Sequence, residues 1–264
     1  MTLSASVLIT GAAGNLGAKL AAHLQGRARF VLIDRVASPG IHAADLASWG
    51  DWTRHFEGVE SVVHFAGNPV AYHNWSELLG PNVDAMLNMY EAAARAGVKR
   101  VVFASSNHVM GGYQDGPPVP ITEQLPPKPG LRYFADGAER FSGAYAATKL
   151  LGERVGQQYA SLRGLEVIAV RIGWVWRGVN KPEELPAERG EWFRNMWLSD
   201  RDFLQLMDCC LSAPLPAPFL VVNGMSANTG MRWDTSTART ILGYSPLDDV
   251  SSRSTQPCQR TRST

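Results

Sequence analysis

Cysteine, net charge and long apolar runs are all scarce in this chain, and each scarcity removes a class of protein. Its 3 cysteines, Cys209, Cys210 and Cys258, are too few for a disulfide framework, and their spacing offers no paired ligands for zinc. No metal site is expected, and a reducing cytoplasm fits. Lys plus Arg number 25 against 24 Asp plus Glu, a net charge of +1 that provides no field to hold nucleic acid or an anionic membrane. No apolar stretch approaches the ~20 residues that cross a bilayer. Met1 to Ser6 lack the basic start and apolar run of an export signal, so a soluble, unexported protein is expected. Nothing repeats at a fixed period. What remains is 264 residues, 45% hydrophobic and 19% charged, enough for one enzyme-sized core.

Short apolar runs punctuate that length. Val7-Leu8-Ile9 leads into a glycine-rich turn, after which Leu16, Leu20 and Leu24 recur at helical spacing. Phe30 to Ile33, Val62 to Phe65, Val101 to Phe103 and Val167 to Val170 read as further strands, continuous enough to be buried on both faces of a parallel sheet. Helices are expected at 82–96, closed by Gly97, and at 144–162, closed by Gly164. Ser199 is a candidate N-cap for a further helix, and 219–222 reads as one more strand. Cys209 and Cys210 fall in that helix and read as core residues, and His64 in the third strand reads as structural. The prolines of 113–142 predict a long loop without regular structure. Residues 174–197, with Trp174, Trp176, Trp192 and Trp197 among charges, predict a mobile or partner-facing lid. The whole reads as a Rossmann-like, doubly wound parallel α/β sheet with a small C-terminal substrate cap: a dinucleotide-binding core over 1–173, a lid and cap over 174–250, and a frayed tail over 251–264.

The first turn carries the nucleotide signal. Gly11-Ala12-Ala13-Gly14-Asn15-Leu16-Gly17 sits between a strand and a helix, the context in which three glycines at this spacing let a pyrophosphate approach the helix N-terminus. Asp34 ends the second strand, where a carboxylate accepts hydrogen bonds from an adenosine ribose and repels a 2′-phosphate, so NAD is favoured. Arg35 argues the other way, since a guanidinium there pairs with that phosphate.

The chemical signal lies further on. Tyr145 and Lys149 stand one turn apart on one helix face, close enough to share a site. A phenol with an ordinary pKa of ~10 is a poor base at neutral pH, and an ammonium beside it is expected to draw it down. Ser105-Ser106-Asn107-His108 follow the fourth strand, at the edge where open parallel sheets bind ligands.

Together Gly11, Gly14 and Gly17, Asp34, Asp45-Leu46, Phe65-Ala66-Gly67, Asn82, Ser106, and Tyr145 with Lys149 resemble the extended short-chain dehydrogenase/reductases, or NAD-dependent epimerase/dehydratases. Within them the chain is most similar to the uronate dehydrogenases, through Phe103 to Gly111, Arg171 to Gly173, Trp197 to Ser199 and Gly224 to Asn228. The resemblance implies that Asp45 and Leu46 lie at the adenine, that Ala66 and Gly67 line the cofactor path, and that Asn82 supports the proton relay. It further implies that Ser106 bonds the reacting oxygen, Tyr145 moves its proton and Lys149 holds the nicotinamide ribose. Ser106, Asn107 and His108 would contact a sugar acid, oxidised at its anomeric carbon to a lactone while hydride passes to NAD. A homodimer through the Tyr145 and Asn82 helices is implied as well.

Two places depart from the family pattern. Pro69 and Trp174 stand where that pattern has pocket serines. The carboxylate-gripping arginine is open between Arg177, Arg189 and Arg194, with Trp174 and Arg194 taken as substrate residues. A nucleotide-sugar epimerase is the alternative enzyme, for which the chain after Arg171 is short. A dehydratase would need an acid pair where Asn107-His108 stand. A non-catalytic NAD-binding regulator is the alternative of another class.

Overall fold

The computed structural model describes residues 6–251, so most of the tail expected to fray lies outside the described residues. In chain order the strands are β1 (Ser6–Thr10), β2 (Arg29–Asp34), β3 (His42–Ala43), β4 (Ser61–His64), β5 (Arg100–Ser106), β6 (Arg132–Ala135), β7 (Ala138–Phe141), β8 (Glu166–Ile172) and β9 (Phe219–Gly224). The helices are α1 (Asn15–Leu24), α2 (Trp75–Leu78), α3 (Ala85–Arg95), α4 (Gly143–Arg163), α5 (Gly190–Asn195) and α6 (Asp200–Ser212).

Seven strands form one sheet in the order β3-β2-β1-β4-β5-β8-β9, all parallel, as the continuous apolar runs require. The order reverses between β1 and β4, and ligands of such sheets bind beyond the strand ends at that point. This is the expected Rossmann-like α/β fold. Two apolar layers flank the sheet. Val7, Ile9, Val102, Ile168 and Val170 face α1 and α6, whose Leu20, Phe203 and Leu206 fill that side. Leu8, Val62, Val101, Phe103 and Val167 face α3, whose Met86, Met89 and Tyr90 fill the other. Buried Cys210 belongs to the first layer.

Four readings change. Strand β2 is half-exposed, because the two-residue β3 covers only its last residues. The helix expected from Asn82 begins earlier, at Asn74, whose side chain accepts from Ser76 and Glu77 N–H in a reciprocal capping box. Pro81 does not start the helix. The chain widens into a π turn over Leu79–Asp84 and continues as α3. The segment 113–142 is not wholly irregular either, since β6 and β7 form an antiparallel hairpin. Its Asp136-Gly137 turn holds positive φ at both residues, the geometry that lets a two-residue loop follow the strand twist. The tryptophans of 174–197, finally, are tied into the fold. Trp174 and Trp197 bridge main chain to main chain, and Trp197 is buried.

Candidate active site

The C-terminal ends of β1, β4, β5 and β8 open into a cavity of about 850 Å³, running from Asp34 and Asp45 at one end to Ser106, Tyr145 and Trp174 at the other. All site residues expected from the sequence line it except Asn82, Arg194 and the candidate Arg189.

At the nucleotide end the wall is main chain. Gly11 has φ +71, and a Cβ there would lie 2.6 Å from the Ala66 nitrogen. A Cβ on Gly17 would lie 2.7 Å from the Ala12 Cα, so any side chain would push α1 off the turn. The N-cap of α1, Gly14, makes no side-chain cap and no acidic residue follows it, which leaves first-turn N–H groups for an anion. Asp34 accepts from Ala13 N at 2.9 Å and Val36 N at 3.1 Å, which fixes its carboxylate at the end of β2. The Asp45 carboxylate caps Ala47 N at 3.0 Å, and Asn88 of α3 holds the Leu46 carbonyl at 2.8 Å. This cradle of glycines, open amides and one placed carboxylate fits a dinucleotide.

Asn82 acts behind the wall. The π turn buries it, and its Oδ1 accepts from Asn68 N at 2.6 Å while its Nδ2 reaches Thr148 Oγ1 at 3.4 Å. Thr148 in turn donates to the Tyr145 carbonyl at 2.8 Å, so Asn82 ties the Gly67 loop to the turn of α4 that carries Tyr145.

Ser106 ends β5 and caps the short 3₁₀ helix Asn107–Tyr113, accepting from His108 N at 3.2 Å. Its hydroxyl also faces the Tyr145 phenol closely enough to favour the ionised form. Burial pushes that phenol up to about 12, and the Ser106 hydroxyl pulls it down while Tyr133 pushes it further up. Lys149 is not what draws it down. Its Nζ donates to the Ala104 carbonyl at 2.9 Å and stands 5.7 Å from the Tyr145 ring centre. Burial lowers its own pKa to about 8, so it is still mostly protonated at neutral pH.

His108 is buried in an aromatic cage, edge-on to Tyr133, Tyr145 and Phe193 at 5.6–5.9 Å. Burial, helped by the Arg189 charge, takes its pKa down to about 3 and keeps it neutral. Its Nδ1 and the neighbouring Asn107 Oδ1 are buried without a hydrogen-bond partner, two polar atoms left for a ligand. His64 is also held neutral near 3, but its Nδ1 meets Thr10 Oγ1 at 2.8 Å, as a structural residue should.

The three lid arginines separate. Arg194 donates to the carbonyls of Pro182 and Val250 at 3.2 and 3.4 Å, which corrects its expected role against substrate: it braces the lid to the C-terminal segment. Arg177 lines the cavity. Arg189 lies over Tyr133 and Phe193 at 5.2 and 5.8 Å, its charge is felt at His108, and its buried Nε has no partner. The lid is rooted by Asn180, which accepts from Trp176 N and Trp197 Nε1 and donates to Leu198 O and Asp200 Oδ1. Asn15 reaches across to the Val175 carbonyl at 3.2 Å. Sequence reasoning missed Tyr133, Phe193 and Asn180. The alternation around Asp136-Gly137 was a usable signal for the first, while nothing local marks the other two.

The NAD dependent epimerase/dehydratase family matches residues 7–176. An NAD-dependent glucose-6-phosphate dehydrogenase from Haloferax volcanii is 32% identical over 92% of this chain and 93% of its own length. A uronate dehydrogenase from Pseudomonas putida is 32% identical over 92% of this chain and 84% of its own. The uronate dehydrogenase of Agrobacterium tumefaciens, solved with NAD as a tyrosine variant, superposes with a TM-score of 0.76 at 29% identity, covering 94% of this chain and 86% of that one.

Proposed function

The chain belongs to the NAD dependent epimerase/dehydratase family, and from that premise we propose that it oxidises a sugar or sugar acid at the anomeric hydroxyl, reducing NAD and forming a lactone. One observation carries the reading: Ser106, Tyr145 and Lys149 converge at the end of β5, in the same cavity as the glycine turn. The chain is an NAD-dependent oxidoreductase acting on a sugar or uronate-type substrate, in line with its dehydrogenase relatives.

When bound, NAD would supply the hydride acceptor and a cationic ring. Ser106 orients the sugar hydroxyl and Tyr145 takes its proton as hydride leaves. Lys149 contributes a protonated amine where the nicotinamide ribose would lie. Asn107 Oδ1 and His108 Nδ1 supply hydrogen-bonding groups to ring hydroxyls, and Trp174 offers a flat apolar face to the sugar. Arg189 takes the acidic group in place of Arg194. A guanidinium held by two aromatic faces with an unpaired N–H suits a carboxylate or phosphate, and the named relatives act on one or the other.

The same proposal keeps the division into a nucleotide core over 1–173 and a lid and cap over 174–250. It includes a homodimer through α3 and α4, supported by Leu87 and Leu151 exposed on these adjacent helices, and a cytoplasmic location. Among the described residues no helix is long and apolar enough to cross a membrane. The test is NADH absorbance with NAD and a panel of hexuronates, neutral aldoses and aldose phosphates. Turnover of acidic sugars is expected, and silence across the panel refutes the reading. Light scattering after size exclusion distinguishes dimer from monomer.

A further inference from the structure

Three successive residues of β5 are each tied to a different turn of α4. The Ala104 carbonyl takes Lys149 Nζ at 2.9 Å, the Ser105 hydroxyl donates to Glu153 Oε1 at 2.6 Å, and the Ser106 hydroxyl faces the Tyr145 phenol. The middle tie runs from Ser105, which lines the cavity, back to Glu153, which does not. It is backed by Arg171 on β8, directly beside Ser105 in the sheet register, whose Nε and Nη2 donate to the two Glu153 oxygens at 2.9 Å each. Both side chains are only 3% exposed. Arg171 Nη1 has no partner at all, so the pair is not even fully satisfied.

A buried ion pair is a poor way to hold a helix on a sheet. Desolvating two charges is costly, and apolar side chains of similar volume often stabilise as well or better. Such a pair does supply direction. A two-pronged guanidinium–carboxylate contact accepts one geometry, where leucine against methionine accepts many. The residues on either side of Ser105 are the ones that meet Lys149 and Tyr145, so a slip of β5 against α4 would be felt first at the proton-transfer groups.

We propose that Glu153 and Arg171, acting through Ser105, are positioning residues for proton transfer: their contact fixes β5 against α4 so that Ser106 and the Ala104 carbonyl stay aligned with Tyr145 and Lys149. The inference rests on the proposed role of Tyr145. The groups facing Tyr145 are Ser106 from β5, Tyr133 from β6, His108 from the 3₁₀ helix and Lys149 from its own helix. Those facing Lys149 are Ala104 and Phe103 from β5, His64 from β4 and Tyr145.

The experiment compares full-length wild type with Glu153→Gln, Ser105→Ala and the apolar double variant Glu153→Leu/Arg171→Met. The double variant is expected to keep its melting temperature and its NAD affinity within twofold, yet to lose kcat by roughly 30-fold, as a misplacement of about an ångström does. The ascending limb of kcat/KM against pH should move to higher pH, because the Ser106 contact that pulls the phenol down is loosened. Glu153→Gln should lose roughly tenfold in kcat and Ser105→Ala roughly threefold, with the same direction of pH shift. A folded double variant with unchanged kcat and pH limb overturns the proposal, as does a loss of NAD affinity in parallel with kcat. If the double variant does not fold, an unchanged kcat and limb in Ser105→Ala overturns it. Should wild type turn over no sugar, the reading of Tyr145 fails separately. The Lys149 amine, followed by NMR of the ¹³C-methylated protein without NAD, then decides: it should titrate near 8 in wild type and at a displaced pH in the variants, and identical titrations overturn the proposal.

Discussion

The two ends of the cleft are built on opposite plans. The nucleotide end is largely main chain, from Gly11 to Gly17 and Phe65 to Gly67, with the Asp34 carboxylate locked by two amides and the Asp45 carboxylate by one. The substrate end is side chains from β5, the 3₁₀ helix after it, α4 and the lid, and it leaves Asn107 Oδ1 and His108 Nδ1 without partners, with the unpaired Arg189 Nε behind it over Tyr133. A main-chain site depends on where side chains are absent, and tolerates little change. A side-chain site depends on which groups arrive from a distance, and it can change its ligand while the sheet stays as it is.

Tyr145 stands where the two plans meet, so its variant should part them most sharply. Tyr145→Phe is expected to lower kcat by about 10³-fold with NAD affinity within twofold of wild type by calorimetry. A matching loss of NAD affinity would mean the ends are not separable. Gly17→Val strikes the other side. The added side chain meets the Ala12 main chain, and NAD affinity should fall by roughly 100-fold, with a lower melting temperature. Retained affinity would show that the turn is not the cradle.

Within the substrate end, Arg189→Met should reduce kcat/KM for acidic sugars roughly 30-fold and leave neutral aldoses within about twofold. Arg194→Met should cost only thermal stability. The reverse pattern would return the acid grip to Arg194. The smallest effect concerns two histidines, His108 in the substrate end and His64 beneath the cleft beside Lys149, both neutral with pKa near 3 when folded and near 6.5 when unfolded. Because the unfolded chain binds the extra protons between those values, stability is complete above about pH 6.5 and falls toward pH 3. Each histidine contributes up to about 1.4 kcal/mol per pH unit. His64→Gln should flatten the fall in melting temperature between pH 7 and 5, and an unchanged slope would contradict the buried neutral assignment.

The difference between the ends also explains what could be read before any fold was known. The β1 turn, Asp34, Tyr145 with Lys149, and the Ser199 cap whose hydroxyl takes Asp202 N at 3.0 Å all depend on neighbours within one or two turns of chain. Their chemistry is written locally. Arg194's nearness to Trp197 in sequence says nothing about which carbonyls its guanidinium meets. Lys149 was given the wrong effect on the phenol, since only the fold reveals the Ala104 carbonyl that occupies it. The hairpin was overlooked under the weight of the surrounding prolines, although Asp136-Gly137 marked it.

The widened turn at Asn82 has one more consequence. A π turn holds one residue more than an α turn of the same span, so it behaves as a single-residue insertion absorbed by a local bulge. Deleting Pro81, which has no N–H to give, would let an ordinary helix run from Asn74 to Arg95 with both flanks still in phase. Met86, Met89 and Tyr90 would keep their places in the core. The loss would be confined to the inward aim of Asn82 and its grip on the loop after Gly67. Here one residue of chain length serves the aim of a single amide, and its removal is an edit that separates foldability from activity.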